Sequence, residues 1–467
     1  TEAVEPTYWA AGNNAYYTCS RCGKVYKDEE GLSETTTEDE VLDILPSVAL
    51  GEFGDNLIWA LTKEGTLVIY GNGSMPDYGQ SSDVAPWFSK RAQIQLVVIK
   101  PGVTNVGANA FYSSVNCTAV TLPDGLQWIG ESAFEDCKKL KNVRVPASVT
   151  EIGRRAFYDC SALTGISIPD GVTSIGAYIF YNCGALVNVT IPGSVRRIDE
   201  YAFCNCTGMT SVTLPEGLEH IEWYAFFNCS SLKKIHVPDS AIELGSYIFG
   251  NCSSLTSASI PVGFRSIDAD DNSYMLQSGG RRYLFNNCVN LTEIQFTDNA
   301  TMGSLSKGMF SGCSSLKNVS IPESVVTIED YVFYGCENLE TVNIPDAVTN
   351  IGAFAFDGCH SLKAIHIPEN VSTIGAGAFC YCSSLTEVCI PEGIVEIADQ
   401  TFSDCTSLIS VSIPTSVLSI GSGAFSNCTG LKEAVIPDGV RSLSGFRDCT
   451  SLTNIVIPES VVSIGYD

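Results

Sequence analysis

The sequence predicts a right-handed solenoid, a coil of short parallel strands with turns and short 3₁₀ or helical segments, started by a β-rich cap. Three observations predict it. The first is a period: Cys137, Cys160, Cys183, Cys206, Cys229 and Cys252 stand 23 residues apart, and the same step runs from Cys313 to Cys428. The second is a set of companions in register. Phe falls three residues before the cysteine (Phe134, Phe157, Phe180), Leu usually three after (Leu140, Leu163, Leu186), and Pro nine after (Pro146, Pro169, Pro192). The third is the alternation inside one unit, where Leu163, Ile166 and Ile168 read as a half-buried strand that Pro169 ends for want of an N–H. A period in the 20–29 range with recurring Leu is the signature of a leucine-rich-repeat solenoid.

The elements follow in chain order. Residues 1–31 read as a small Cys-containing leader module around Cys19-Ser20-Arg21-Cys22-Gly23. A CxxC followed by Gly supplies half of a zinc knuckle, which makes Cys19 and Cys22 the candidate metal ligands. Two further ligands are needed and the first histidine is His220, so a local disulfide or free thiols stands as the alternative to zinc. Residues 32–50 read as an acidic linker, because positions 28–55 carry ten acids, no Lys and no Arg. Residues 51–110 read as the cap. Two alternating runs, Leu57–Leu61 and Thr66–Tyr70, joined through Lys63-Glu64-Gly65, predict a hairpin that covers the first edge of the coil.

Residues 111–467 read as the solenoid, about 15 turns counting an imperfect first one with Phe111 and Cys117. In the turn from Cys160 to Asn182, Val172 and Ile175-Gly176 make a second buried corner, and Ala177 to Phe180 a short helical or 3₁₀ turn with Phe180 inside. Strands stacked at about 4.8 Å predict a body roughly 70 Å long. The start at Thr1 suggests a processed product, and the stop at Ser463-Ile464-Gly465-Tyr466-Asp467 falls midway through a turn.

Composition narrows the partners. The 467 residues include 52 acids against 26 bases, a net charge of −26 that repels phosphate backbones and excludes nucleic acid as a main partner. Apolar residues make up 45% and charged ones 17%, a folded rather than disordered composition. No apolar run is long enough to span a membrane as a helix. The recurring cysteines admit two readings, a wire of metals or disulfides and a stack of buried reduced thiols acting as small hydrophobes. The second is favoured, because Asn, Asp or Gly commonly precedes the cysteine (Asn182, Asp159, Gly335) as a tight turn requires, and every turn repeats one environment.

The unit CSALTGISIPDGVTSIGAYIFYNC resembles the BspA-like leucine-rich repeats of bacterial surface proteins over roughly residues 50–467, and residues 51–88 look like the β-rich cap that often starts such solenoids. The leader is similar to small Cys-rich repeats of surface proteins in anaerobic bacteria, with Tyr8 where those repeats carry a further Cys. The resemblance implies an extracellular or cell-surface, non-catalytic binding protein of the adhesion type, whose partner is a protein on a host or neighbouring cell or in the extracellular matrix.

Four places could carry a site. The strand face should expose the residues five and seven after each cysteine. The second of these columns runs through Arg144, Ser167, Thr190, Thr213, His236, Ser259, Gln295, Ser320, Asn343, His366, Cys389, Ser412 and Val435. Small polar residues suit a broad protein or glycan contact better than a small-molecule pocket. Within it, Asn343, His366 and Cys389 are the residue types of a thiol nucleophile with base and orienter, here read as coincidence because no oxyanion hole accompanies them. Next, an aromatic column five before the cysteine holds Tyr178, Tyr201, Tyr224, Tyr247, Tyr283, Tyr331 and Phe354, with Arg155 and Gln400 in the same place. It could stack on sugars, anchor a protein, or pack only on itself. Last, a step of 36 in place of 23 between Cys252 and Cys288 marks an insertion with Asp268, Asp270, Asp271, Tyr274, Arg281 and Arg282 as candidate contacts. Asp268, Asp270 and Asn272 begin like a calcium loop, but Ser273 stands where Gly belongs and Gly279 where Glu belongs, so no cofactor is expected there.

Overall fold

The computed structural model describes residues 17–18, 25–26, 47–54, 56–261, 264–266, 283–297 and 303–465. The chain divides into two compact units, Thr1–Val172 and Thr173–Asp467. In the leader, Tyr17–Thr18 pairs antiparallel with Val25–Tyr26. Cys19 and Cys22 lie outside the described residues.

The first unit turns a hairpin sheet into a solenoid. Ser47–Phe53, Leu57–Thr62 and Thr66–Gly71 are antiparallel, as alternation and the Lys63-Glu64-Gly65 turn require. The first of these strands begins inside the stretch read as linker. Leu96–Ile99 then joins Thr66–Gly71 in parallel and is followed by Ala119–Thr121, Asn142–Arg144 and Gly165–Ser167. A second parallel ladder runs through Asn105–Val106, Trp128–Ile129 and Glu151–Ile152. Between the two, Trp87 starts the core. It is fully buried, donates its indole N–H to the Ala110 carbonyl at 2.8 Å, and stacks on Phe111 with ring centroids 5.7 Å apart. Phe53, Trp59 and Tyr78 close around Trp87 edge-on. The aromatic stack continues to Phe134 and Phe157 at 5.2 and 5.4 Å.

The second unit repeats one cross-section. Most three-residue strands of the main ladder bury the middle residue and expose the outer two, as in Asn188–Thr190, Ser211–Thr213 and Lys234–His236. A short ladder pairs Ser174, Arg197, His220, Glu243 and Arg265 in register, and the Ile or Leu that follows each of the first four is buried. The third side is built of tight turns, not of the 3₁₀ or helical segment expected there. The cause is conformational: Tyr178 and Asn182 both take left-handed φ, +57° and +60°, and a left-handed residue ends any right-handed helix. The turn residues instead bond alternately. Ile179 N–H donates within its own turn to Gly176, whereas Tyr178, Phe180 and Asn182 donate to Glu200, Ala202 and Cys204 of the next turn. Among the described residues the one helix is a 3₁₀ segment, Phe88–Gln93, in the cap.

The Asn, Asp or Gly before the cysteine is explained by this geometry. Asn182, Asn205, Asn228 and Asn251 have φ of +57° to +61°, which Asn and Gly tolerate best. Their amides add a ladder of their own, Asn205 Nδ2 to Asn182 Oδ1 and Asn228 Nδ2 to Asn205 Oδ1, both at 2.9 Å. Behind them the Phe column stacks with centroids 5.0–5.9 Å apart from Phe180 to Phe446, passing the insertion without a break between Phe249 and Phe285 at 5.5 Å.

The ladder cysteines from Cys206 to Cys428 are buried free thiols, and each donates a hydrogen bond. Cys206 Sγ–H donates to the Phe180 carbonyl of the preceding turn at 3.2 Å, and Cys229, Cys252 and Cys336 repeat the contact with Phe203, Phe226 and Phe310. Burial pushes the Cys252 thiol up to about 12, so it stays protonated and able to donate. The first turn departs from the reading that paired Phe111 with Cys117. Cys117 donates its thiol to the carbonyl of Ala119, at the start of the strand that follows it, while Ser114, 23 residues before Cys137, takes the place of the ladder thiol. The Ser114 hydroxyl is buried without a hydrogen-bond partner.

Three outcomes follow. Ser114→Ala removes a buried unsatisfied hydroxyl and should raise stability by about 1 kcal/mol in a denaturant titration. Native protein treated with a thiol reagent should label exposed Cys389 well before buried ladder cysteines such as Cys229 and Cys336, which react only on unfolding, as read by peptide mass mapping. Asp357 is raised from 3.8 to about 6 by burial. The folded state therefore binds its proton more tightly than the unfolded chain, and stability falls as pH rises through the window from about 4 to 6. Asp357→Asn should gain on the order of 1–2 kcal/mol at pH 7, with the gain gone below about pH 4, as read by melting at both pH values.

Candidate functional site

The strand face presents the two columns that the spacing predicts. Asn188, Ser211 and Lys234 form part of the first and Thr190, Thr213 and His236 part of the second, all exposed and all on a backbone fixed by parallel pairing to the next turn. Neighbouring polar side chains tie together across strands: Ser211 Oγ–H donates to Asn188 Oδ1 at 2.7 Å and Thr341 Oγ1–H to Asn318 Oδ1 at 2.6 Å. His236 lies 3.8 Å from the Glu216 carboxylate.

Charge is unevenly shared. In the second unit the two strand columns carry Lys234 against Glu293, Glu387 and Glu433, and the exposed position just before the strand adds Lys233, Lys317, Lys363 and Lys432 against Glu340, so that the three columns together are close to balance in a chain of net −26. The acids gather beside it, one residue after the proline that ends the strand. Glu216, Asp239, Glu323, Asp346, Glu369, Glu392 and Asp438 are all exposed there. This acidic ridge was not singled out from the sequence, although the recurring Pro-Asp and Pro-Glu pairs are its signal.

His366 and Cys389 occupy equivalent exposed places on neighbouring turns, since the Ala364–Glu387 bridge sets their register. No hydrogen bond joins His366 to Cys389 or to Asn343 among the described residues, so the three side chains form no charge-transfer chain. Among those residues, too, no group of three or more His, Cys, Asp or Glu is arranged to hold a metal.

The tyrosine column is a continuous stack. Tyr178, Tyr201, Tyr224 and Tyr247 lie with centroids 4.8, 4.9 and 5.0 Å apart and planes within 12° of parallel, and Tyr283 follows at 5.1 Å. Both faces of Tyr201 and Tyr224 are thus covered by neighbouring rings, leaving no gap in which a sugar could stack. That removes the face-stacking reading at these residues, whose side chains are half-buried. All four take φ of +56° or +57°, a conformation that costs a bulky L-residue roughly 1–2 kcal/mol. Gly308, Gly377 and Gly423 fill the same position in later turns with the same sign of φ. Ring stacking offsets much of that cost at about 0.5–1.5 kcal/mol per pair. Beside the column, Tyr181 lies 5.8 Å from Tyr178 and Phe227 5.3 Å edge-on to Tyr224. Burial raises the hydroxyl pKa of Tyr224 above its ordinary value of 10, so the phenol is neutral at physiological pH.

A second polar network, also missed from sequence, lies on the short ladder. Arg197 binds Asp199 at 2.6 Å and Glu222 at 2.7 Å, and His220 Nδ1 lies 2.7 Å from Glu243 Oε2. The insertion residues Asp268, Asp270, Asp271, Tyr274, Arg281 and Arg282 lie outside the described residues. Their attachment points are nonetheless clear: Ser257–Ile260 pairs directly with Glu293–Phe296, and Cys288 donates to the Phe249 carbonyl at 3.1 Å, so the ladder closes across the insertion.

The chain is similar to a leucine-rich repeat protein from Bacteroides ovatus at 23% identity, covering 88% of this chain and 98% of that one with a TM-score of 0.48. It is similar to one from Eubacterium ventriosum at 24% identity, covering 71% and 94% with a TM-score of 0.41. A leucine-rich cell surface protein from Faecalibacterium prausnitzii is 25% identical over 88% of this chain and 94% of that one, with a TM-score of 0.34. No curated protein matches the sequence. No helix among the described residues is long and apolar enough to cross a membrane. The family model for the BspA type leucine rich repeat region, in six copies, matches residues 85–208, 173–273, 281–392 and 372–467, and the chain belongs to that family.

Proposed function

We propose that this chain is an extracellular, cell-surface recognition protein of the adhesion type that binds another protein through its strand face, without a catalytic step. The observation that carries the reading is the strand face itself. It is a regular array of small polar side chains, flanked by a column of lysines and set beside an acidic ridge in a strongly acidic chain. A broad polar surface with local charge contrast suits a protein contact, where complementarity of charge fixes register and speeds encounter. Zinc at Cys19 and Cys22 would be a structural feature of the leader in this reading and not part of the contact.

The test is binding of the full chain to immobilised extracellular-matrix proteins and glycans, beside a Lys234→Glu plus His236→Glu variant and a variant lacking residues 268–280. Saturable protein binding that the face variant weakens about tenfold supports the proposal. Binding kept by that variant but lost with the insertion would place the contact at the insertion instead. Binding to glycans alone, or to nothing on the panel, would overturn a matrix-protein partner.

A further inference from the structure

We propose that the aromatic ridge on the turn side of the second unit is a second binding surface, whose occupant is a proline-rich, basic segment of a partner protein in the polyproline II conformation. The proposal rests on the reading of the chain as a protein-binding protein but not on the strand face. Its first support is the backbone. Tyr178, Tyr201, Tyr224 and Tyr247 hold a left-handed φ that Gly308, Gly377 and Gly423 fill without strain in other turns, although Arg155, Tyr331, Phe354 and Gln400 share it too, and strain of this kind concentrates at functional positions. The turn does not need an aromatic ring there, as Gly308 and Gly377 show.

The second support is spacing. Rings 4.8, 4.9 and 5.0 Å apart put every second ring about 10 Å from its fellow, close to the roughly 9.3 Å spanned by three polyproline II residues. An extended strand, with same-side residues about 6.7 Å apart, falls out of step with the ridge at once. Polyproline II segments are recognised by aromatic ridges and grooves, and they arrive with little conformational entropy left to lose. Here the stacked rings form the ridge, and Tyr181 and Phe227 widen it on one side. Half-buried Trp223 precedes Tyr224 in the chain and half-buried Glu200 precedes Tyr201. The third support is charge. A chain of net −26, with Glu200 on this surface, favours a cationic segment and disfavours a second copy of itself.

The experiment titrates the full chain against labelled peptides of repeated Pro-Pro-Arg and of repeated Gly-Ser-Arg, read by fluorescence anisotropy. The Pro-Pro-Arg peptide should bind saturably and at least about tenfold more tightly than the control of equal charge. Tyr201→Gly plus Tyr224→Gly should remove that preference. Glycine is already accepted at this turn position, so the variant keeps its fold, which an unchanged far-ultraviolet spectrum and melting profile would verify. Lys234→Glu plus His236→Glu should leave the preference intact, which separates this surface from the strand face. Equal binding of both peptides, or a preference that survives the double tyrosine variant, would overturn the proposal. So would a linear glycan that binds in place of the peptide and is lost with the same two rings.

Discussion

Everything in the second unit depends on one constraint: the apolar stripe of each turn can be buried only against the same stripe of its neighbours. The Phe column expresses it, with rings held 5.0–5.9 Å apart along the unit. The cysteine ladder completes it, because each thiol reaches back to the Phe carbonyl of the turn before and satisfies a buried acceptor that a methyl group could not. The insertion after Cys252 tests the constraint within the molecule. Thirteen residues beyond the period separate Phe249 from Phe285, yet their rings lie 5.5 Å apart. Longer loops add little closure entropy, whereas a broken stack would expose an apolar surface on each side.

The same constraint explains the residue choices on the turn side. Two residues per turn must be left-handed so that the chain can reverse in few residues while its N–H groups alternate between their own turn and the next. The position before the ladder cysteine takes Asn, Asp or Gly, the residues that accept this conformation most readily, in every turn of the second unit except at Tyr381. The other position is freer in identity and more costly in strain, and there the molecule places Tyr in consecutive turns. Stacking offsets the strain but does not account for choosing Tyr over Gly, which is why the ridge reads as a surface with a purpose.

Charge is organised by the same repetition. A substitution at one position of the repeat recurs as a column, so a modest bias becomes a line of like charges. Acids one residue after the proline form an exposed ridge, and the lysines before the strands offset the acids of the strand face next to it. The ion pair of Arg197 with Glu222 and the contact of His220 with Glu243 on the short ladder are made possible by in-register neighbours.

The sequence by itself determined the period, the strand, the inward Phe and Cys, the exposed pair of strand positions and the cap hairpin. Each of these is a consequence of burial repeated every 23 residues, and repetition makes a weak local signal legible. It did not show that the turn side is a run of left-handed turns, since a bulky residue such as Tyr224 gives no local warning of φ near +56°. Nor did it show that Trp87 begins the Phe stack or that Ser114 stands in the thiol ladder, because both depart from the repeat they serve. The fate of the tyrosine faces was likewise decided only in three dimensions. Spacing along the chain places the rings on one side, but whether they stack on one another or stand apart depends on the distance between turns, which is fixed by hydrogen bonds between residues far apart in sequence.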